Sequence, residues 1–175
     1  LQRAIDRIAS SGGGRLVVTP GIYLTGALHF KPGVGLHLEK GAVLGALYGL
    51  ENYRVVKLPY SEGDWSAIVM GLNVTNVAVT GEGTIDGNCE AFLGGPHVVY
   101  RQDAIPWRPS QMLFFAECRN VRVEGLRLVN SPYWTCFFHG CEDVTIRGVT
   151  IRNPMWNANT DGFDIDSRNV LIEDC

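Results

Sequence analysis

The chain has 175 residues, 46% of them hydrophobic and 19% charged, with 21 glycines. That composition suits one folded domain with a real core and many turns, and excludes a disordered chain. A net charge of −3 lacks the basic footprint of a nucleic-acid binder, and no apolar run reaches the roughly 18 residues a membrane span needs.

The first residue is Leu1, with no initiator Met and no signal-like segment, and the last is Cys175, just after an apolar strand-like stretch. The expectation is a single incomplete domain over residues 1–175, cut at both ends. The five cysteines, Cys89, Cys118, Cys136, Cys141 and Cys175, are odd in number and follow no zinc spacing. They read as core thiols rather than as a disulfide framework.

In chain order, only the N-terminus reads as helix. Leu1, Ala4, Ile5, Ile8 and Ala9 fall on one face, and Ser10-Ser11-Gly12-Gly13-Gly14 ends it. Short strands and turns follow: Arg15–Val18, a Pro20-Gly21 turn, Ile22–Leu24, a Lys31-Pro32-Gly33 turn, Val34–Leu38, then Ala42–Leu44.

Beyond them the chain repeats. Segments beginning Asn76-Val77, Asn120-Val121, Asp143-Val144 and Asn169-Val170 align residue by residue. Val121 to Val144 is 23 residues and Val144 to Val170 is 26. Val77 to Val121 is 44, which fits either one coil with an insertion or two irregular coils. Asn and Asp tolerate the left-handed conformation, so the Asn76, Asn120, Asp143, Asn169 column suits a repeated turn. Val77, Val121, Val144 and Val170 share a strand face with Val79, Val123, Ile146 and Ile172. Three residues before each first Val stands a small-residue column, Val74, Cys118, Cys141, Ser167. Seven before stand Phe114, Phe137 and Phe163, which read as an aromatic stack. Short strands and in-register columns define a parallel β-helix, with the N-terminal helix capping one end. A β-sandwich gives no reason for columns to recur in register.

Residues from Asp86 to Gln111 break the repeat. Insertions in a solenoid map to loops on one face, and this one carries His97, Tyr100, Arg101, Trp107 and Arg108, which suit an acidic sugar by stacking and ion pairing. A loop that only covers the coil edge fits equally well.

The densest polar cluster runs from Asn157 to Ser167 and places Asp161, Asp164 and Asp166 within six residues. Clustered carboxylates on a rigid sheet suit calcium binding or glycoside hydrolysis. Asp164 and Asp166 suit turn-forming roles equally well. In a regular strand Asp161 shares the face of Phe163 and Ile165, which the Phe column marks as core, and Asp164 is the exposed one. Gly162 can break that register, or Asp161 can precede the strand.

Asn159-Thr160-Asp161-Gly162 resembles the first active-site motif of glycoside hydrolase family 28, the polygalacturonases and their relatives. Gly12-Gly13-Gly14, Pro20–Gly26, Leu36–Leu44, Gly81–Gly87, Arg108-Pro109, Cys118 and Asn130–Trp134 follow the family's order of landmarks over nearly the whole chain. The resemblance implies a right-handed parallel β-helix that cleaves α-1,4-galacturonosyl linkages of pectin with inversion and without a metal or cofactor. It also implies an exported protein, secreted or periplasmic, acting as a monomer on an acidic plant cell-wall polysaccharide. Asp161 is then one of three catalytic aspartates and helps to activate the attacking water, and Asn159 contacts substrate. The family's Gly-Asp-Asp pair, which holds the general acid, and its later His-Gly and Arg-x-Lys motifs come after this point in the family's order. Asp164 and Asp166 fall too early to be that pair. His139-Gly140 precedes the Asn-Thr-Asp motif, and its offset from the Val column aligns His139 with Ala116 and Ile165, a core or edge position. Tyr133 and Trp134 suit a sugar-stacking surface or plain packing. The expectation is that the parent protein cleaves pectin and that this stretch alone is inactive. A non-catalytic polysaccharide-binding β-helix is one alternative. A calcium-dependent, pectate-lyase-like enzyme with Asp161, Asp164 and Asp166 as ligands is the other.

Overall fold

In a computed structural model, residues 1–58, 64–94 and 107–175 are described. Helix α1 (Gln2–Ser10) buries Ile5 and packs Ile8 and Ala9 against the same core, as its apolar face predicts. Leu1, at the N-cap, is exposed. The helix closes one end of the solenoid chemically as well as sterically. Gln2 Nε2 donates to the His29 carbonyl at 3.0 Å, and the His29 N–H donates to Gln2 Oε1 at 2.7 Å. Backbone groups of the outermost strand are thereby paired.

Three stacks of parallel strands follow. The first is β3 (Leu28–His29), β8 (Ala67–Leu72), β11 (Gln111–Ala116) and the leading halves of β14 (Trp134–Arg147) and β16 (Phe163–Glu173). The second is β1 (Gly14–Val18), β4 (Val34–Leu38), β9 (Thr75–Gly81), β12 (Arg119–Glu124) and the trailing halves of β14 and β16. The third is β2 (Gly21–Thr25), β5 (Ala42–Ala46), β10 (Thr84–Asp86), β13 (Arg127–Val129) and β15 (Thr150–Arg152). A small antiparallel pair, β6 (Val56–Lys57) with β7 (Asp64–Trp65), lies outside them. This is a parallel β-helix.

The valine columns pair as the repeat predicts. Val77, Val121, Val144 and Val170 are direct neighbours, and so are Val79, Val123, Ile146 and Ile172. Direct pairing of β8 with β11 and of β9 with β12 settles the 44-residue interval: it is one coil plus an insertion between β10 and β11. The inward columns form one continuous core, in which Leu36, Val79, Val123 and Ile146 are fully buried.

The aromatic column differs from its sequence alignment. Phe114 pairs with Phe137, but Phe137 pairs with Asp164, and Phe163 pairs with Cys136. The cause is a corner. Between the first and second stacks, three coils carry a left-handed residue (Asn73, Glu117 or Gly140) before the small residue (Val74, Cys118 or Cys141). The last coil has only Ser167 there, so the β14–β16 register shifts by one between His139 and Glu142. Ser167 still fills its column, accepting the Cys141 N–H at 3.0 Å and donating to the Phe138 carbonyl at 2.9 Å. Phe163 consequently packs on the core. The interior aromatic stack is Phe115 on Phe138, 5.7 Å between centroids, whereas Phe114 and Phe137 stack outside under Trp65. All five cysteines are free, and only Cys175 is exposed.

The turn column is left-handed throughout, with φ of 56° at Asn76, 56° at Asn120, 60° at Asp143 and 55° at Asn169. Asn120 Nδ2 donates to Asn76 Oδ1 at 2.7 Å, and Asn169 Nδ2 to Asp143 Oδ1 at 3.2 Å. Asn120→Ala is expected to lower unfolding stability by about 1–2 kcal/mol, the cost of a Cβ in that conformation without the compensating side-chain bond. Asn120→Gly should lose less, and denaturant unfolding of the pair measures the difference.

Candidate active site

Two loops lead into the first stack, residues 130–133 before β14 and 153–162 before β16. Asparagine side chains lock one to the other. Asn153 Oδ1 accepts the Ser131 N–H at 2.8 Å, and its Nδ2 donates to Thr135 Oγ1 at 2.8 Å and to the Thr160 carbonyl at 3.2 Å. Asn157, only 6% exposed, donates to the Ser131 carbonyl at 2.8 Å and to the Pro132 carbonyl at 3.4 Å. Thr160 Oγ1 donates to the Asn157 carbonyl at 3.4 Å. These bonds satisfy buried polar groups that would otherwise oppose packing of the two loops.

The Asp161 backbone is fixed by the ladder: the Thr135 N–H donates to its carbonyl at 2.8 Å and the Cys136 N–H to that of Gly162 at 3.1 Å. The side chain is exposed. β16 begins at Phe163 and Gly162 forms a bend, so Asp161 precedes the regular strand and escapes the alternation that sends Phe163 inward. Asn159 is exposed and left-handed, with φ of 57°. No bond from it to Asp161 joins the two predicted site residues; they share a loop.

Asp164 and Asp166 lie within β16 rather than in a turn. Asp164 continues the outward Phe114–Phe137 row. Its Oδ2 is buried without a hydrogen-bond partner among the described residues. Burial first, and then the charge of Asp161, push its carboxyl above the ordinary carboxylate value. Asp166 pairs with His139, Nδ1 to Oδ2 at 2.8 Å. Thus His139 stands beside Asp166 and Ala116, not beside Ile165, because the corner shift moves the register by one. Among the described residues no three His, Cys, Asp or Glu are grouped to hold a metal ion, so Asp161, Asp164 and Asp166 do not form a ready calcium cage.

The raised Asp164 carboxyl makes stability depend on pH. The folded state binds this proton more tightly than the unfolded one, so ionised Asp164 weakens the fold above its raised value and the penalty fades as pH falls through it. Asp164→Asn is expected to raise Tm at neutral pH by about 2 °C, corresponding to less than about 1 kcal/mol for a partly exposed group. Thermal unfolding across a pH series should show that gain shrinking toward acid pH.

Beside the carboxylates lie aromatic surfaces. Tyr133 and Trp134 stack at 5.8 Å and 7°, and Trp134 packs edge-on against Phe137 and next to Trp65. Of the insertion residues, His97, Tyr100 and Arg101 lie outside the described residues. Trp107 packs with Tyr53 and Phe92, and the Arg108 guanidinium lies over Tyr133 at 4.4 Å. Sequence reasoning missed Asn153 and Asn157. The signal for Asn153 was present: Asn130 and Asn153 each stand nine residues after a column valine, Val121 or Val144. Asn130 Nδ2 likewise bonds across coils, to Asp86 Oδ1 at 3.0 Å.

A sequence profile of Glycosyl hydrolases family 28 matches residues 45–175, and the chain belongs to that family. It is 32% identical, over 98% of its length, to a "probable polygalacturonase" of Vitis vinifera. It is 25% identical, over 98% of its length, to an endo-polygalacturonase of Pectobacterium parmentieri. It spans 36% and 46% of those two relatives. The crystal structure of a hyperthermoactive exopolygalacturonase from Thermotoga maritima superposes with a TM-score of 0.81 at 28% identity, covering 97% of this chain and 46% of that one.

Proposed function

We propose that the protein carrying this chain hydrolyses α-1,4-galacturonosyl linkages of pectin or polygalacturonate with inversion. The observation that carries the reading is Asp161 at the head of β16, whose backbone carbonyl is held by the Thr135 N–H and whose carboxylate is exposed. A carboxylate so placed can take a proton from the attacking water. An inverting enzyme sets its acid and base about 6.5–9.5 Å apart so that this water fits between base and sugar. The general acid is supplied by a segment that follows β16 in the family's order, in the full-length protein. Asn159 meets the substrate beside Asp161, and Tyr133 with Trp134 offers a face for a sugar ring. On this reading the protein works outside the cell or in a periplasm, where its polymer substrate lies.

The names of the relatives support the substrate class. The test is release of reducing ends from polygalacturonate by the full-length protein in the presence of a chelator. Undiminished release, without the ultraviolet absorbance of unsaturated products, is expected. Activity lost to the chelator and restored by calcium, with unsaturated products, would replace hydrolysis by elimination. No release from any pectic polymer would leave a binding module.

A further inference from the structure

Arg108 stands where the insertion rejoins the solenoid, three residues before β11. Its guanidinium lies over the Tyr133 ring at 4.4 Å, and its Nη1 donates to Asn157 Oδ1 at 3.4 Å. One cation therefore touches both walls of the candidate site: the Tyr133–Trp134 stack, and the loop carrying Asn159 and Asp161. Asn157 is the joint of that loop. Its amide donates to the Ser131 and Pro132 carbonyls, and its own carbonyl takes the Thr160 hydroxyl. Arg108 satisfies the oxygen end of the same side chain, and Asp161 lies four residues on.

We propose that Arg108 is a positioning residue: it clamps the Asn157–Asp161 loop against the Tyr133 ring and so sets where the Asp161 carboxylate stands relative to a sugar on the aromatic face. A planar guanidinium can stack by its face and donate in its plane at once, which a lysine ammonium cannot do. The role in catalysis rests on the hydrolytic reading above; the clamp itself does not.

The experiment compares wild type, Arg108→Ala and Arg108→Lys in the full-length protein, by hydrogen exchange and by steady-state kinetics. Loss of a stacked cation and a charge-assisted bond should speed exchange over residues 155–162 by about ten-fold or more in the alanine variant. The lysine variant should recover little of this, and exchange in the strands of the other coils should be unchanged. In the same variants kcat should fall about 10- to 100-fold with KM within about two-fold, the signature of a displaced reacting group. Unchanged exchange over 155–162, or faster exchange spread evenly over all coils, overturns the clamp. Full recovery by lysine overturns the part assigned to the planar fork. If wild type shows no hydrolysis, the functional reading fails and the exchange data still decide the clamp.

Discussion

Asp161→Asn in the full-length protein is expected to lower kcat on polygalacturonate by about 100-fold or more while the protein stays folded. The substitution keeps the side chain's shape and removes its ability to take a proton, and general-base assistance is worth about 10²–10⁴-fold. Little stability should be lost. The contact that fixes this residue is the Thr135 N–H on its backbone carbonyl, which the amide variant retains, and the carboxylate is exposed. The charge of Asp161 also helps to hold up the Asp164 pKa, so the variant should bring Asp164 closer to its ordinary value. Unimpaired turnover in a folded Asp161→Asn protein removes Asp161 from the chemistry and leaves the fold untouched.

The largest stability effect is expected at Phe138. It is fully buried, stacks on Phe115 at 5.7 Å and 10°, and sits in the row that continues to Ile165. Phe138→Ala should cost about 3–5 kcal/mol, because neighbouring coils cannot collapse into the void without breaking their own ladders. That corresponds to a fall in Tm on the order of 10 °C for a chain of this size. Phe137→Ala, one residue away, should cost clearly less, since Phe137 is half-buried in the outer cluster under Trp65. Thermal or denaturant unfolding of the two variants reads the register directly. If Phe137→Ala were the more damaging, the interior row would be the one the sequence alignment drew through Phe114, Phe137 and Phe163.

Those two phenylalanines mark where reading the sequence stops working. Columns within one strand were legible, because identical offsets from a valine survive as long as no residue is gained or lost in between. Val77, Val121, Val144 and Val170 therefore pair as read. Across the corner the rule fails. Nothing in Ser167 alone says that its coil lacks the left-handed residue supplied elsewhere by Asn73, Glu117 and Gly140. Every match of the last coil to the one before it was one residue out upstream of that corner, which misplaced Phe163 and matched His139 to Ile165 instead of Asp166.

The exposure of Asp161 was open for a related reason. Alternation predicts facing only inside a strand, and whether a strand starts at Asp161 or at Phe163 depends on the bend at Gly162. The Asn-Thr-Asp-Gly motif identified the loop. The parts that hold it came from long-range packing: Asn157 on the Ser131 and Pro132 carbonyls, and Arg108 from 49 positions away. No local spacing encodes those contacts. The insertion lies where the repeat breaks, and from it Arg108 reaches over the Tyr133 ring.

The most direct measurement follows the anomer first released when the full-length protein cuts α-linked polygalacturonate, by proton NMR in the opening minutes before mutarotation. A water activated by Asp161 on the face opposite the leaving oxygen must deliver the β-anomer first, with the α-anomer growing in later. The α-anomer appearing first would contradict inversion and with it the role assigned to Asp161.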